Sequence, residues 1–217
     1  MSDLKFVDQM KHETFDAHEL SKDSGFAQNI MGGLWSPVAF VEWQRALYPV
    51  YVMLEDILMK NRKDPVLNMF DHRKLDRRDK IFSDLSFYGV DPVVDPSRLP
   101  AVTAYIEAVY QAGSSPQRIM AYHYTRYMGD MIGGQVISRC LSEKYDMSPE
   151  SLTCYDFSAI GDIFHYRKTY KNLLNNVSWT EDERRAFIEE VKVAYTVNAN
   201  LFEELYVLLS EMHKEDR

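Results

Sequence analysis

Apolar residues recur along this chain at intervals of three and four, and short alternating runs of the strand type are few, so the pattern predicts helices nearly throughout. Ser36-Pro37 reads as an N-cap followed by a first-turn proline, with Trp35 and Phe40 placed as a hydrophobic staple, and opens a helix expected to reach about Lys60. Pro49 lies inside it, so a kink or break is expected near Tyr48. Ser115-Pro116 repeats the cap signature and starts a long helix towards Tyr145. Thr180 with Glu183 three residues on forms a capping box. The final helix that follows carries the inward stripe Phe187, Val191, Ala194, Tyr195, Asn198, Leu201, Phe202, Leu205 and Leu208, one member of which is polar. Stretches near 86–100 and 148–163 read as loops, and neither repeats nor long linkers divide the chain. The expectation is an all-α fold, one domain over residues 1–217.

Composition narrows the function. With 217 residues, 46% hydrophobic, 14 Tyr and 11 Phe, the chain can fill a core and is not a disordered sequence. Its formal charge of −8 argues against general nucleic-acid binding, which needs clustered positive charge. The longest apolar run, Ala46 to Leu54, is too short to span a bilayer, and the start Met-Ser-Asp-Leu-Lys lacks a signal-peptide pattern. Two cysteines, Cys140 and Cys154, make no disulfide framework, and a reducing, cytoplasmic compartment is expected.

Three features invite chemistry. Gly129, Gly133 and Gly134 weaken the helix carrying them by roughly 1 kcal/mol each relative to alanine, so something should compensate. Gly129 and Gly133 strip one face of side chains, which suits either close helix packing or a flat ligand lying on bare backbone; Asp130 sits beside that face, where a carboxylate could order water or pass protons. His18 is a lone helical histidine with Lys11 two turns earlier; no HxxxH or ExxH spacing exists for a multi-ligand metal site. It is either structural or a single axial ligand, and a single imidazole fits haem, whose porphyrin supplies four nitrogens. Arg167 and Lys171, at i and i+4, are either a solvated face or a pair of cations for a dianionic ligand such as haem propionates, with Lys11 as a third cation and Tyr124 as a neutral donor. Asn198 and Arg126, if buried, need partners, and a polar network that includes Tyr51 would serve both.

The segment Tyr124-Thr-Arg-Tyr-Met-Gly-Asp-Met-Ile-Gly-Gly-Gln135 resembles the distal-helix signature of haem oxygenases. Lys11 with His18, Leu47–Glu55, and Asn198–Leu205 match the same family in the same order, from about residue 5 to 210. The resemblance implies haem b held between a proximal helix bearing His18, the axial iron ligand, and a kinked distal helix bearing Gly129 and Gly133. It implies that Asp130, Tyr51, Arg126 and Asn198 hold a proton-delivering network. Lys11, Tyr124, Arg167 and Lys171 would hold the propionates and so select the meso edge, expected to be the α one. Haem would be cofactor and substrate together, cleaved with dioxygen to biliverdin, carbon monoxide and ferrous iron using electrons from a ferredoxin or an NADPH-dependent reductase. The family resemblance further implies a form without membrane anchor, cytoplasmic or in the plastid stroma.

Three departures from the family pattern stand out. Lys22 occupies the position, four after the histidine, where members often carry Glu; Ile132 replaces a small polar residue and is expected to tighten or dry the distal pocket; and Tyr122 stands where His is common. The competing functions are a haem carrier or sensor, which would not need Asp130, and a thiaminase-like chemistry, which would need a nucleophilic cysteine.

Overall fold

The computed structural model describes residues 4–70 and 72–215. It is all-α, with no strand among the described residues. The helices are α1 (Phe6–Glu13), α2 (Phe15–Lys22), α3 (Gly25–Gly32), α4 (Pro37–Lys60), α5 (Arg78–Phe87), α6 (Pro100–Ala112), α7 (Pro116–His123), α8 (Gln135–Tyr145), α9 (Ile163–Asn175) and α10 (Glu181–Glu215). One apolar core runs from Phe6 to Leu209. The 35-residue α10 packs against α2, α3, α6 and α7 and so forms the spine on which the other helices assemble.

Most predicted boundaries recur. Ser115 Oγ accepts from Arg118 N at 3.4 Å, and Thr180 and Glu183 bond reciprocally, Thr180 N to Glu183 Oε2 at 2.8 Å and Glu183 N to Thr180 Oγ1 at 3.3 Å. Asp146, at φ 54°, ends α8 in the left-handed region. Three expectations are corrected. Helix α4 runs on through Pro49, so of the expected kink or break the break does not occur; Ala46, Leu47, Val50, Tyr51 and Leu54 are all buried and hold both sides of the proline in place. Ser36 makes no side-chain cap, and the Trp35 ring packs against Phe26 and Tyr206. Lys11 and His18 do not share one helix, since the chain is interrupted at Thr14.

The stretch 148–163 is more ordered than a loop. It makes three 3₁₀ turns, Pro149–Ser151, Thr153–Tyr155 and Ser158–Ile160, and charged groups hold it to the core. Asp84 accepts from Thr153 N, Thr153 Oγ1 and Cys154 N at 2.8, 2.6 and 2.9 Å. Arg77, 1% exposed, donates to the carbonyls of Leu75, Cys154 and Asp156 at 2.7, 3.1 and 2.7 Å, with its guanidinium 4.0 Å from the Phe157 ring centre. A buried cation needs such a full set of acceptors to offset its desolvation. Glu55, also buried, accepts from the backbone N–H of Arg77 and Arg78 at 2.6 and 3.1 Å and so caps the start of α5.

Candidate functional site

The segment between α7 and α8 widens into two π-helical turns, Tyr124–Met128 and Asp130–Gly134, joined at Gly129. Such turns exchange ordinary ladder geometry for a displaced backbone and occur most often where a helix carries function. The glycines there separate into two kinds. A Cβ at Gly134 would lie 2.6 Å from the Tyr155 ring, so this glycine permits close packing. A Cβ at Gly129 or Gly133 would meet nothing within 4 Å; these two face a cavity of about 200 Å³. Close packing thus occurs at Gly134, whereas Gly129 and Gly133 keep bare backbone open to the cavity.

His18 lines the same cavity, together with Tyr195, Asn198 and Phe202 of α10 and Trp43 of α4. The wall behind is aromatic: Phe202 stacks on Phe26 at 5.0 Å and meets Trp43 edge-on at 5.6 Å. The His18 ring packs edge-on to Tyr195 at 5.3 Å, and its Nδ1 lies 3.0 Å from Glu19 Oε1. A carboxylate only accepts, so in the neutral ring this contact keeps the proton on Nδ1 and leaves Nε2 free to ligate. Lys22 does not contact the histidine; it donates to Glu19 Oε2 at 2.6 Å, and these two bonds hold the Glu19 carboxyl below its usual range. The acceptor expected four residues on is thus supplied by the neighbouring residue.

Above the cavity, four predicted residues meet. Tyr51 Oη donates to Asp130 Oδ2, Arg126 Nε donates to Tyr51 Oη at 3.2 Å, and Arg126 reaches Asp130 Oδ1 at 3.3 Å and Asn198 Oδ1 at 2.7 Å. Burial pushes the Asp130 carboxyl upward against the pull of Arg126, and raises the Tyr51 phenol well above its ordinary value. A carboxyl balanced in this way, beside donors and bare backbone, can hold and pass a proton at its Oδ atoms.

The remaining predicted residues gather beside this cavity rather than lining it. Lys171 is held below its ordinary range by burial and by the neighbouring charges of Lys11 and Arg167, so the three cations share one patch although they come from α1 and α9. Tyr124 is buried within reach of Arg167 and Tyr195, which joins the patch to the cavity wall. Ile132 is 44% exposed and lies outside the cavity lining, so the expected tightening of the pocket by this residue does not occur.

Sequence reasoning missed Tyr105, which is buried at the cavity beside Arg126, and Ser21, which accepts from Asn198 Nδ2 at 2.7 Å. Neither carries a local sequence signal: Tyr105 belongs to the ordinary apolar stripe of α6, and only the fold shows that Ser21 is the one buried side chain of α2 while its neighbour Leu20 is 63% exposed. Burial also pushes the Cys154 thiol up, and Cys140 is buried away from solvent, so neither is presented as the accessible nucleophile that the thiaminase-like alternative needs. Among the described residues no cluster of three or more His, Cys, Asp or Glu could hold a metal ion, and no helix is long and apolar enough to cross a membrane.

The match to known proteins runs over nearly the whole chain. The Heme oxygenase family model matches residues 4–204. The chain is 30% identical over 211 residues to heme oxygenase 1 of Rattus norvegicus, covering 95% of this chain and 73% of that relative, and 26% identical to heme oxygenase of Porphyra purpurea, covering 92% and 86%. Among solved structures, heme oxygenase-1 from the cyanobacterium Synechocystis in complex with heme superimposes with a TM-score of 0.88 at 24% identity, over 97% of this chain and 96% of that one. Heme oxygenase from Leptospira interrogans gives a TM-score of 0.83 at 23% identity, over 93% and 100%. The chain belongs to the heme oxygenase family. It is an enzyme of haem degradation.

Proposed function

We propose that this enzyme cleaves haem b at the α-meso carbon to biliverdin, carbon monoxide and ferrous iron, consuming dioxygen and electrons from a ferredoxin or an NADPH-dependent reductase. Haem, when bound, supplies both the iron that activates dioxygen and the ring that is opened. The observation carrying this reading is the pairing of two bare glycine faces, Gly129 and Gly133, with His18 across one cavity, beneath a buried carboxylate network. A flat ring fits against backbone that no side chain covers, and His18 offers it one imidazole nitrogen whose proton position Glu19 sets.

Each group of residues has a distinct task in this reading. His18 ligates the iron through Nε2. Gly129 and Gly133 admit the ring. Asp130, aligned by Tyr51 and Arg126, holds water at its carboxylate and delivers protons on the side facing the glycines, while Trp43 and Phe202 keep bulk water out. Lys11, Arg167 and Lys171, with Tyr124, bind the propionates; because they lie to one side of the cavity, they fix the rotation of the ring and so the carbon presented.

The test is the optical spectrum of the protein with stoichiometric haem, before and after a reductant system is added in air with catalase present. Loss of the Soret band with growth of biliverdin absorbance and a carbon monoxide signal is the expected result. A haem complex that persists through this treatment would refute the reading. The His18→Ala complex should show an altered Soret band from the outset.

A further inference from the structure

Helix α2 buries a single side chain, and that side chain is Ser21, whereas Phe15 and Leu20 on the same helix are exposed. A polar residue placed inward while leucine points out runs against the apolar pattern of a surface helix, and such inversions have a local cause. The cause here is Asn198. Arg126 only donates, so it fixes the Asn198 amide with Oδ1 towards itself at 2.7 Å, which turns Nδ2 away towards α2. Ser21 Oγ accepts there at 2.7 Å, and both side chains are buried. Without that acceptor, the amide would keep a buried, unsatisfied N–H group or rotate and release Arg126.

We infer that Ser21 is a positioning residue for proton delivery: it locks the Asn198 amide, which holds Arg126 against Asp130 and Tyr51. This rests on the function proposed above, and it deepens it by joining the helix that carries His18 to the network that lines the same cavity. The chain of bonds runs from Ser21 through Asn198 and Arg126 to Asp130. The charged and titratable groups that face Asp130 are Arg126 on its own helix, Tyr51 from α4, Tyr105 from α6, Arg77 from the turn before α5, and Cys154 and Tyr155 from the Thr153–Tyr155 turn. Of these, Arg126 is the cation in direct contact with the Asp130 carboxylate. Loosening it weakens the pull that opposes burial, so protonation of Asp130 moves to higher pH.

Two variants of the full chain, Ser21→Ala and Ser21→Thr, test this. In the haem-free protein, exchange of the Asn198 side-chain amide protons, followed by NMR, should accelerate about fivefold in Ser21→Ala, as loss of one buried hydrogen bond implies, and return to the parent rate in Ser21→Thr. In the haem complex with a reductant system, Ser21→Ala should keep haem affinity within about twofold while kcat falls roughly fivefold. The acid limb of its pH–rate profile should move to higher pH, and Ser21→Thr should restore both. Unchanged amide exchange in Ser21→Ala, or an acid limb that stays in place, would overturn the inference. So would parallel loss of haem affinity and turnover that threonine does not restore. If the parent protein itself binds haem without turnover, the proposed function fails, and the amide exchange still decides whether Ser21 locks Asn198.

Discussion

Gly129 and Gly134 lie five positions apart in one distorted helix, and the same substitution should act on them in opposite directions. Alanine at Gly134 would drive a methyl group into the Tyr155 ring, and overpacking of this kind costs about 1–3 kcal/mol. Alanine at Gly129 meets no protein atom and removes the entropic weakness of a helical glycine, a gain of roughly 1 kcal/mol. Gly129→Ala should therefore raise the melting temperature of the haem-free protein while lowering its haem affinity, and Gly134→Ala should lower the melting temperature. Thermal melts and haem titrations of the two variants check both, and a Gly129→Ala protein with undiminished haem affinity would place the ring elsewhere. At this scale the sequence was most legible where residues break local rules. The glycine run, Asp130 beside it and the polar Asn198 in an apolar stripe each pointed to the site. Tyr105 and Arg77 break no rule visible in a linear string, since their importance lies in what distant segments bring to them.

Helix α1 and helix α9 together make a basic patch that neither makes alone. Asn175 at the end of α9 accepts from Val7 N at 2.9 Å, which ties the start of α1 to that helix and sets Lys11 beside Lys171 and Arg167. The i, i+4 spacing revealed Arg167 and Lys171 as a pair. The placing of Lys11 followed from α1 packing on α9 rather than from a continuous helix to His18, and the interruption at Thr14 has no strong sequence signal. Removing any one of these three cations, of which Arg167 and Lys171 are half-buried, should weaken haem binding several-fold, and the loss should shrink as salt is raised. The product should also become a mixture of biliverdin isomers, separable by chromatography. A single isomer from all three variants would assign regiochemistry to another part of the pocket.

Across the whole molecule, buried charged groups tie the irregular segments to α4 and α5. Glu55 illustrates the cost of doing so: burial raises its carboxyl to about 7, despite the two backbone N–H groups and the Arg78 side chain that favour ionisation. The folded protein thus holds a proton that an unfolded carboxyl, near 4.5, has released. Its contribution is fully present below about pH 4.5 and is lost as pH rises through 7, amounting to as much as about 3 kcal/mol. Denaturant unfolding of the parent protein and of Glu55→Gln at pH 5 and pH 8 should show the parent losing stability relative to the variant as pH rises; a constant difference would show that Glu55 is ionised throughout. The all-helical architecture was readable from periodicity and caps. The ordered 148–163 segment was not, because its short turns, bonded locally, are anchored by Asp84 and Arg77 from elsewhere in the chain.

The distal helix is fastened on either side of its bare stretch, by the Arg126 bond to Asn198 and by the close fit of Gly134 to Tyr155. Mechanically it is a beam clamped at its two ends and tied once between them, where Asp130 meets Tyr51. Such a beam yields where nothing lies against it, and here that is the bare backbone of Gly129 and Gly133 within the π-helical turns. The height of the cavity ceiling can therefore change through a few backbone dihedrals, with α7, α8 and the core packed around them left in place.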